Sequence, residues 1–449
     1  MSIQLLRRTR RLLHRSLRRG FAWLPRGLRF GLIRRLVDCD PAPPPALELK
    51  IAETCDELEA CFALLHDAYV GSGFMQPHAS GLRVTPYHAL PTTTTVCAKL
   101  DGRVVGTLSM VREGVLGLPM QSAFDLSAVR ARGGQIAEIS ALAVHPDHRR
   151  TGGTILFPLM KFMYEYCTRY FETRHLVIAV NPDRIELYEA LLQFERLQAS
   201  VVEDYAFANG APAVGATLDL SEAPARFRRL YGGRRPTKDL HAYFTQLTLP
   251  NLRMPPRRYF TTNDPVMTPA LLDHFFNRRT AGFAALDARQ RRLLHAIYDR
   301  PDYASVLPPV PAEAASGVAL RRHPRHAIRF PALFTVPGPS GVRRAVLLRE
   351  ISHGGCQVEL ASQALQVGSE GELMVQLGAG EASIVRARVV RSAGAKAWGL
   401  AIDRPDTPWR DCVAALESGA TYRELGPPGP PSAPATVSAP DAGALPTAA

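Results

Sequence analysis

Between Glu138 and Thr154 the chain reads Glu-Ile-Ser-Ala-Leu-Ala-Val-His-Pro-Asp-His-Arg-Arg-Thr-Gly-Gly-Thr, and few local folds satisfy that order. Ile139 to Val144 is a short apolar run bounded by polar turn formers, the pattern of a buried strand. His145-Pro146-Asp147-His148 turns the chain. Arg149-Arg150-Thr151-Gly152-Gly153-Thr154 then leaves bare backbone amides at the start of a helix expected from about Ile155. Free N–H groups and the positive end of the helix dipole favour an anion there. The phosphate of a phosphopantetheine thioester is one anion that fits.

A second segment follows in the same style. A strand expected over His175 to Val180 leads into Asn181-Pro182-Asp183-Arg184-Ile185-Glu186-Leu187-Tyr188-Glu189, with Phe194 beyond. The two segments together resemble the GNAT acyltransferase superfamily, whose signature is Arg or Gln, two residues, Gly, one residue, then Gly or Ala. Arg149, Gly152 and Thr154 occupy those places, and Thr154 is a departure. The resemblance implies that Arg149, Gly152, Gly153, Thr154 and Asn181 hold the donor, and that Tyr188 protonates the departing thiolate.

Further matches narrow the family. Glu138-Ile139-Ser140 is similar to the Glu-x-Ser/Thr-Arg segment of acyl-homoserine lactone synthases, although Ala141 stands where those enzymes carry Arg. The helix expected over Cys55 to Val70 also lacks the arginine they place before the aromatic residue matched by Tyr69, which argues against an S-adenosylmethionine acceptor. A closer resemblance is to the FeeM-type N-acyl amino acid synthases. It rests on Ala68-Tyr69-Val70, Gly73-Phe74-Met75, the Asp101 to Thr107 hairpin and Asn209-Gly210-Ala211-Pro212-Ala213-Val214. It covers roughly Leu47 to Leu220. It implies transfer of a long acyl chain from acyl carrier protein or coenzyme A to an amino acid.

Amide formation from a thioester needs a neutral amine, hence a carboxylate base acting directly or through a water. Glu138 is the candidate, against the alternative of a solvated carboxylate at a strand end. A backbone N–H in the Leu142 to Val144 region would stabilise the oxyanion. Tyr188 would supply the proton to sulfur, against the alternative of a helix residue packed on the sheet. His145 and His148 share a turn with no third ligand nearby, so neither a metal nor a tightly bound cofactor is expected.

A second domain is expected from about Gly317. Short alternating segments at Phe330 to Val336, Val342 to Ile351, Cys356 to Leu360, Gly371 to Leu377, Ile384 to Arg391 and Ala397 to Ile402 leave no room for crossover helices. Six such strands predict a small antiparallel barrel closed by a helix over Trp409 to Glu417. Arg321, Arg322 and Arg325, with Glu350, Ser352 and Gly355 of the turn Glu350-Ile351-Ser352-His353-Gly354-Gly355, resemble the PilZ domain, a cyclic di-GMP receptor. Glu350 replaces the usual Asp or Asn. Guanidinium forks suit phosphates and stack on guanine.

The first 37 residues contain eleven arginines and no acidic residue. Leu5, Leu12, Leu13, Ser16, Leu17, Gly20 and Leu24 recur at helical spacing, the profile of a basic helix on an anionic membrane surface. No run is long and apolar enough to span a bilayer. A nucleic-acid arm is the competing reading, and the interleaved leucines favour lipid. The formal charge of +13 owes much to this segment. Arg226, Arg228, Arg229, Arg234, Arg235 and Lys238 form a further local cluster, either facing an acidic acyl carrier protein or simply solvated. Seven scattered cysteines suit a reducing compartment.

The resulting organisation is α+β and multidomain. A basic membrane-surface segment (1–37) and a proline-rich hinge (38–46) precede a GNAT/FeeM-like domain with a mixed sheet and flanking helices (47–222). A mostly helical connecting region (223–312), a PilZ-like six-stranded barrel (317–419) and a disordered Pro/Ala-rich tail (420–449) follow. The expected protein is a cytoplasmic N-acyltransferase, peripheral on the inner face of the cell membrane and regulated by cyclic di-GMP. The alternatives are a GNAT enzyme acting on another amine or protein, and a non-catalytic carrier-binding adaptor.

Overall fold

The computed structural model describes residues 24–114, 116–149, 153–261, 264, 267–298, 301–310, 326–337, 343–360, 365–378, 380–394, 396–418 and 421. Helix α1 (Arg26–Arg35) precedes strand β1 (Leu47–Ile51), helix α2 (Cys55–Ser72), the hairpin β2 (Thr93–Leu100) and β3 (Arg103–Arg112), and strand β4 (Gln135–Val144). Helix α3 (Leu156–Tyr170), strand β5 (Thr173–Val180), helix α4 (Pro182–Leu192) and strands β6 (Glu195–Arg196), β7 (Val202–Tyr205), β8 (Ala211–Asp219) and β9 (Leu252–Arg253) complete the first unit. The sheet order is β6-β8-β5-β4-β3-β2-β1-β9, with β7 paired to β8. Among the described strands of this sheet, only β4–β5 and β1–β9 are parallel. Thr54 opens α2 with a reciprocal cap to Glu57, a Ser/Thr-x-x-Glu pattern legible in the sequence.

Apolar residues of α3, among them Leu159, Phe162 and Tyr166, pack on one sheet face with Leu49, Val96, Leu108, Leu176 and Ala216. Burying each large apolar side chain contributes about 2–3 kcal/mol against the entropy of ordering the chain. Strand β4 begins four residues before the expected Ile139. Glu138 is therefore inside the strand, not at its exposed end.

The region after β8 is not a separate connector. Strand β9 extends the sheet beside β1, and Met267, Leu272, Phe275, Phe276, Phe283 and Leu294 share a core with Leu58, Cys61 and Phe62 of α2. The proline-rich hinge is likewise pinned. Val37 and Cys39 are buried with Phe157 and Tyr243, and the Cys39 N–H donates to the Thr237 carbonyl at 2.8 Å. Helix α1 lies along α4, with Arg26 bonded to Glu189 at 3.0 Å, Arg29 to Glu186 at 2.5 Å and Arg34 to the Ala190 carbonyl at 2.9 Å. Three arginines expected to face lipid are thus engaged by protein. The remainder of the basic segment lies outside the described residues.

Strands β10 (His326–Thr335), β11 (Arg343–Ser352), β12 (Gly355–Glu359), β13 (Glu370–Gly378), β14 (Glu381–Gly394) and β15 (Ala397–Ala401) close a barrel in the order β10-β11-β12-β15-β14-β13. All of these pairings are antiparallel, as the alternating sequence predicts. The helix Thr407–Ser418 seals the barrel with Trp409, whose ring N–H donates to the Ser352 carbonyl at 3.0 Å. The segment just before Asp264 joins the two units physically. Tyr259 is buried in the barrel core, the Phe260 N–H donates to the Leu377 carbonyl, and Thr261 bridges to Ile328.

Candidate active site

The site arises where two parallel strands part. The β4–β5 ladder ends at Glu138 opposite Val177. On its other side β4 faces β3, and between the pairs Ala143–Thr107 and Ser140–Ser109 two residues of β4 oppose one of β3. That bulge contains Ala141, a non-glycine residue at φ 55°. Such a conformation costs on the order of 1 kcal/mol and persists where the surroundings enforce it. Ala141 and Leu142 line the gap where β4 and β5 part.

The gap is a cleft of about 420 Å³ lined by Ile139, Ser140, Ala141, Leu142, Asn181 and Tyr188, among others. Sequence-expected residues from both segments therefore meet in one place. Tyr188 is half-buried and packs edge-on to Phe194 with ring centres 6.0 Å apart. Burial raises its pKa, so the hydroxyl keeps its proton. Asn181 lines the cleft and also caps α4, accepting from the Asp183 N–H at 2.9 Å. Val144 lies at the far end of β4 opposite Gly106, outside this lining.

At the helix start, Gly153 sits at φ 92°, and a Cβ there would come within 2.5 Å of the Phe157 ring. Glycine is required by that turn. Thr154 follows it, and α3 begins at Leu156, one residue after the expected start. Arg149 uses its Nε to bond the Val144 carbonyl at 2.8 Å, tying the turn to the end of β4. Gly152 lies outside the described residues.

Glu138 is only 2% exposed. Its Oε2 accepts the Met120 N–H at 2.8 Å. Burial pushes the carboxyl pKa up to about 8, and the Met120 bond opposes that rise. A solvated strand-end carboxylate would show neither feature. A buried carboxyl that titrates near neutrality is what general base catalysis calls for.

Several groups here were not legible in the sequence. Arg83 lies 4.0 Å over the Tyr69 ring and 5.2 Å from the Phe207 ring centre, with Nη2 donating to the Phe207 carbonyl at 2.7 Å. His88 is buried and accepts the Thr85 N–H on Nδ1 at 3.0 Å. Burial, with the Arg83 charge second, depresses its pKa to about 3, so it stays neutral. Away from the cleft, ligand atoms of Cys55, Glu59 and His274 lie within 4.8 Å of one another. His274 and Arg279 both bond Glu59, at 3.0 and 2.6 Å.

In the barrel, Ser352 Oγ donates to the Gly355 carbonyl at 3.0 Å. A Cβ on Gly355 would sit 2.4 Å from the Leu400 carbonyl oxygen. Close backbone packing therefore accounts for this glycine. Glu350 faces a cavity of about 450 Å³ shared between the two units, lined by His326, Arg329 and Arg349 on one side and Arg112, Gly114 and Phe171 on the other. Arg321, Arg322 and Arg325 lie outside the described residues.

Residues 60–219 match the family of N-acyl amino acid synthase FeeM, and residues 319–416 match the PilZ domain. Among solved structures, FeeM, an N-acyl amino acid synthase from uncultured soil microbes, is 23% identical over 40% of this chain and 95% of its own, with a TM-score of 0.35. The CoA-dependent acyl-homoserine lactone synthase BjaI is 20% identical over 46% of this chain and 92% of its own, at 0.31. A GNAT-family acetyltransferase from Streptococcus pneumoniae is 13% identical over 38% and 98%, at 0.29. No curated protein sequence matches the chain. With its split sheet, its family match and its separate barrel, this chain carries an N-acyltransferase domain of the N-acyl amino acid synthase FeeM family followed by a PilZ domain.

Proposed function

We propose that the first unit joins a long-chain acyl group, delivered as a thioester on acyl carrier protein or coenzyme A, to the amine of an amino acid. The observation that carries this reading is the parting of β4 and β5 beside a bulged Ala141, with Tyr188 in the same cleft and Glu138 buried behind its wall. The thioester carbonyl lies against the bulge, where backbone N–H groups meet the developing oxyanion. The ammonium of the acceptor loses a proton to Glu138 through water, since Glu138 does not itself line the cleft. The amine nitrogen then forms the C–N bond, the C–S bond breaks, Tyr188 gives its proton to the departing thiolate, and the extra proton on the nitrogen passes to the Tyr188 oxygen. The products are an amide and a free thiol.

Arg149, Gly152, Gly153, Thr154 and Asn181 hold the pantetheine arm and phosphate in this reading, with Leu142 contributing its backbone. Gly153 supports it through the left-handed backbone it gives the turn into the helix, with the Phe157 ring packed where a Cβ would stand. Arg149 acts by fixing the turn.

Regulation by cyclic di-GMP is supported by the cavity that Glu350 shares with the first unit. A nucleotide held by Arg321, Arg322 and Arg325 near Glu350, Ser352 and Gly355 lies beside the end of β3. A buried cluster continues from there. The Tyr166 hydroxyl donates to Asp264 at 2.6 Å, Arg257 pairs with Asp264, and Arg112 reaches Thr94 at 2.8 Å and Asp264 at 3.6 Å. This cluster joins α3, β2 and β3 to the segment that enters the barrel.

Docking to an anionic membrane surface is supported by α1. Leu28 and Leu32 of α1 and Leu36, which caps it, recur every four residues and are 60%, 40% and 79% exposed, on a helix whose arginines partly face protein. No helix among the described residues is long and apolar enough to cross a membrane. The test of the whole reading is mass spectrometry of lipid extracts from cells expressing the chain and its Glu138→Gln variant. New N-acyl amino acids that vanish with the variant are expected. Unchanged lipid profiles would refute it.

A further inference from the structure

A narrow buried neck separates the donor cleft from a second cavity, and the charge of that neck bears on which amine the enzyme takes. The neck is lined by Tyr69, Arg83, Tyr87, His88, Ser140 and Phe207, among others, and holds about 10 Å³, room for roughly one water. It shares Tyr69, Ser140 and Ala141 with the donor cleft. On its other side it shares Tyr87, Pro119 and Phe207 with an open depression of about 860 Å³.

Arg83 is the cation of this neck. The neighbouring His88 is neutral, as its depressed pKa requires. Among the described residues no carboxylate pairs with Arg83. Its partners are the Phe207 carbonyl, Tyr69, the face of Phe207, and a distant contact from Nη1 to Met75 Sδ at 4.0 Å. A half-buried guanidinium lacking a counter-anion is costly unless a ligand supplies one. A guanidinium carries five N–H donors, more than these partners use.

A second polar group lies close to the residues that line the neck. The Tyr205 hydroxyl is buried without a hydrogen bond among the described residues, and it lies within electrostatic reach of Glu138, Tyr69, Tyr87 and Arg83. Buried polar atoms are rarely left unsatisfied. A guanidinium without a counter-anion on the wall of the void, with an unpaired hydroxyl close by, marks the place of a polar ligand.

We propose that Arg83 binds the α-carboxylate of the acceptor amino acid, and that Tyr205 donates to the same group or to the water beside it. The inference rests on the amino acid synthase reading and deepens it. The carboxylate displaces the water of the neck, with Met75 and Phe207 as the yielding neighbours. The acceptor side chain extends into the 860 Å³ depression and the amine faces Ser140 and Ala141 at the bulge. Arg83 is thus the residue that separates free amino acids from other primary amines.

The experiment compares the full-length wild type with Arg83→Ala, Arg83→Lys and Tyr205→Phe on one accepted amino acid, its α-carboxamide and the amine lacking the carboxyl. Each is assayed with the same acyl thioester. For the wild type, kcat/KM should favour the free acid over both analogues by about a hundredfold. Arg83→Ala should lose about that factor on the free acid, chiefly in KM, while its rates on the two analogues stay within a few-fold. Arg83→Lys, which keeps charge and stem, should fall between. A carboxylate preference that survives in Arg83→Ala, or an equal loss on all three acceptors, overturns the role of Arg83 alone. A wild type that acylates the amine and the amide as well as the acid also overturns it and leaves the acyltransferase reading standing. A wild type that acylates none of a full amino acid panel overturns the synthase reading, and this inference with it.

Discussion

Replacing Glu138 by Gln tests the catalytic assignment and the physical argument behind it with a single substitution. Glutamine keeps the size of the side chain and an oxygen for the Met120 N–H, but it cannot take up a proton. In the wild type the carboxyl titrates near pH 8 rather than near 4.5, because burial raises its pKa against the opposing Met120 bond. The folded state therefore binds more protons than the unfolded chain between those values. Stability must fall as pH rises through that window, and the whole loss is present only above about pH 8. At about 1.4 kcal/mol per unit, the loss is on the order of 5 kcal/mol, an upper bound because water reaching the ionised carboxylate would relieve part of it. Glu138→Gln escapes this loss. Urea denaturation should find the two proteins similar at pH 5, with the variant several kcal/mol more stable at pH 9. Catalysis should move in the opposite direction. The wild-type kcat/KM should rise with pH to a limb near 8 as the carboxylate forms. The variant should lose that limb and about a hundredfold or more in turnover, while donor binding is nearly unchanged. Turnover within a few-fold of wild type, or a limb near pH 8 that persists in the variant, would refute the assignment. Parallel stability curves for the two proteins would refute the argument from burial.

Three further outcomes follow from the same physical reasoning. Asp264→Asn should destabilise the fold by roughly 3–5 kcal/mol by calorimetry, because Arg112 and Arg257 would be left buried without their carboxylate. Burial alone would raise the Asp264 pKa, but the two arginines hold it below the ordinary value, so its stabilisation is present near neutral pH and is lost on acidification. Replacing Arg7, Arg8, Arg10 and Arg11 with Gln, or Leu28, Leu32 and Leu36 with Gln, should shift the protein off anionic vesicles, each basic residue contributing about 1 kcal/mol; unchanged sedimentation with vesicles at physiological salt would exclude this face. Arg325→Ala in the full chain should abolish the heat of cyclic di-GMP binding, and Glu350→Asp should strengthen it if side-chain length limits the contact. Wild-type protein that gives no heat with the nucleotide would leave the barrel as a protein-interaction domain.

The sequence determined by itself those features that depend on neighbours along the chain. The apolar run into β4, the turn, and the helix after Gly153 are local, as is the cap of α4 by Asn181. The six strands of the barrel were legible because buried and exposed residues alternate with period two, clearest in β13 and β14. Leu142, Asn181 and Tyr188, which line one cleft, could be placed together because strand, turn and helix leave little choice of geometry.

What only the tertiary structure decided depends on groups far apart in sequence. The burial of Glu138 comes from Met120 and the tyrosines around it, none of which marks itself as a catalytic neighbour. Arg83 lies in an irregular stretch without periodicity, and its significance appears only when Tyr69 and Phe207 close on it from different elements. The docking of α1 on α4 through Arg26, Arg29 and Arg34 was hidden because an arginine-rich helix reads the same whether its partner is lipid or glutamate. The region after β8 looked like a connector because its helices are short and broken by proline, yet it completes a core with α2. Strand and helix propensities are written locally, whereas the field at a buried side chain is the sum over everything folded around it, so the scaffold could be read before folding and the charge state of its site could not.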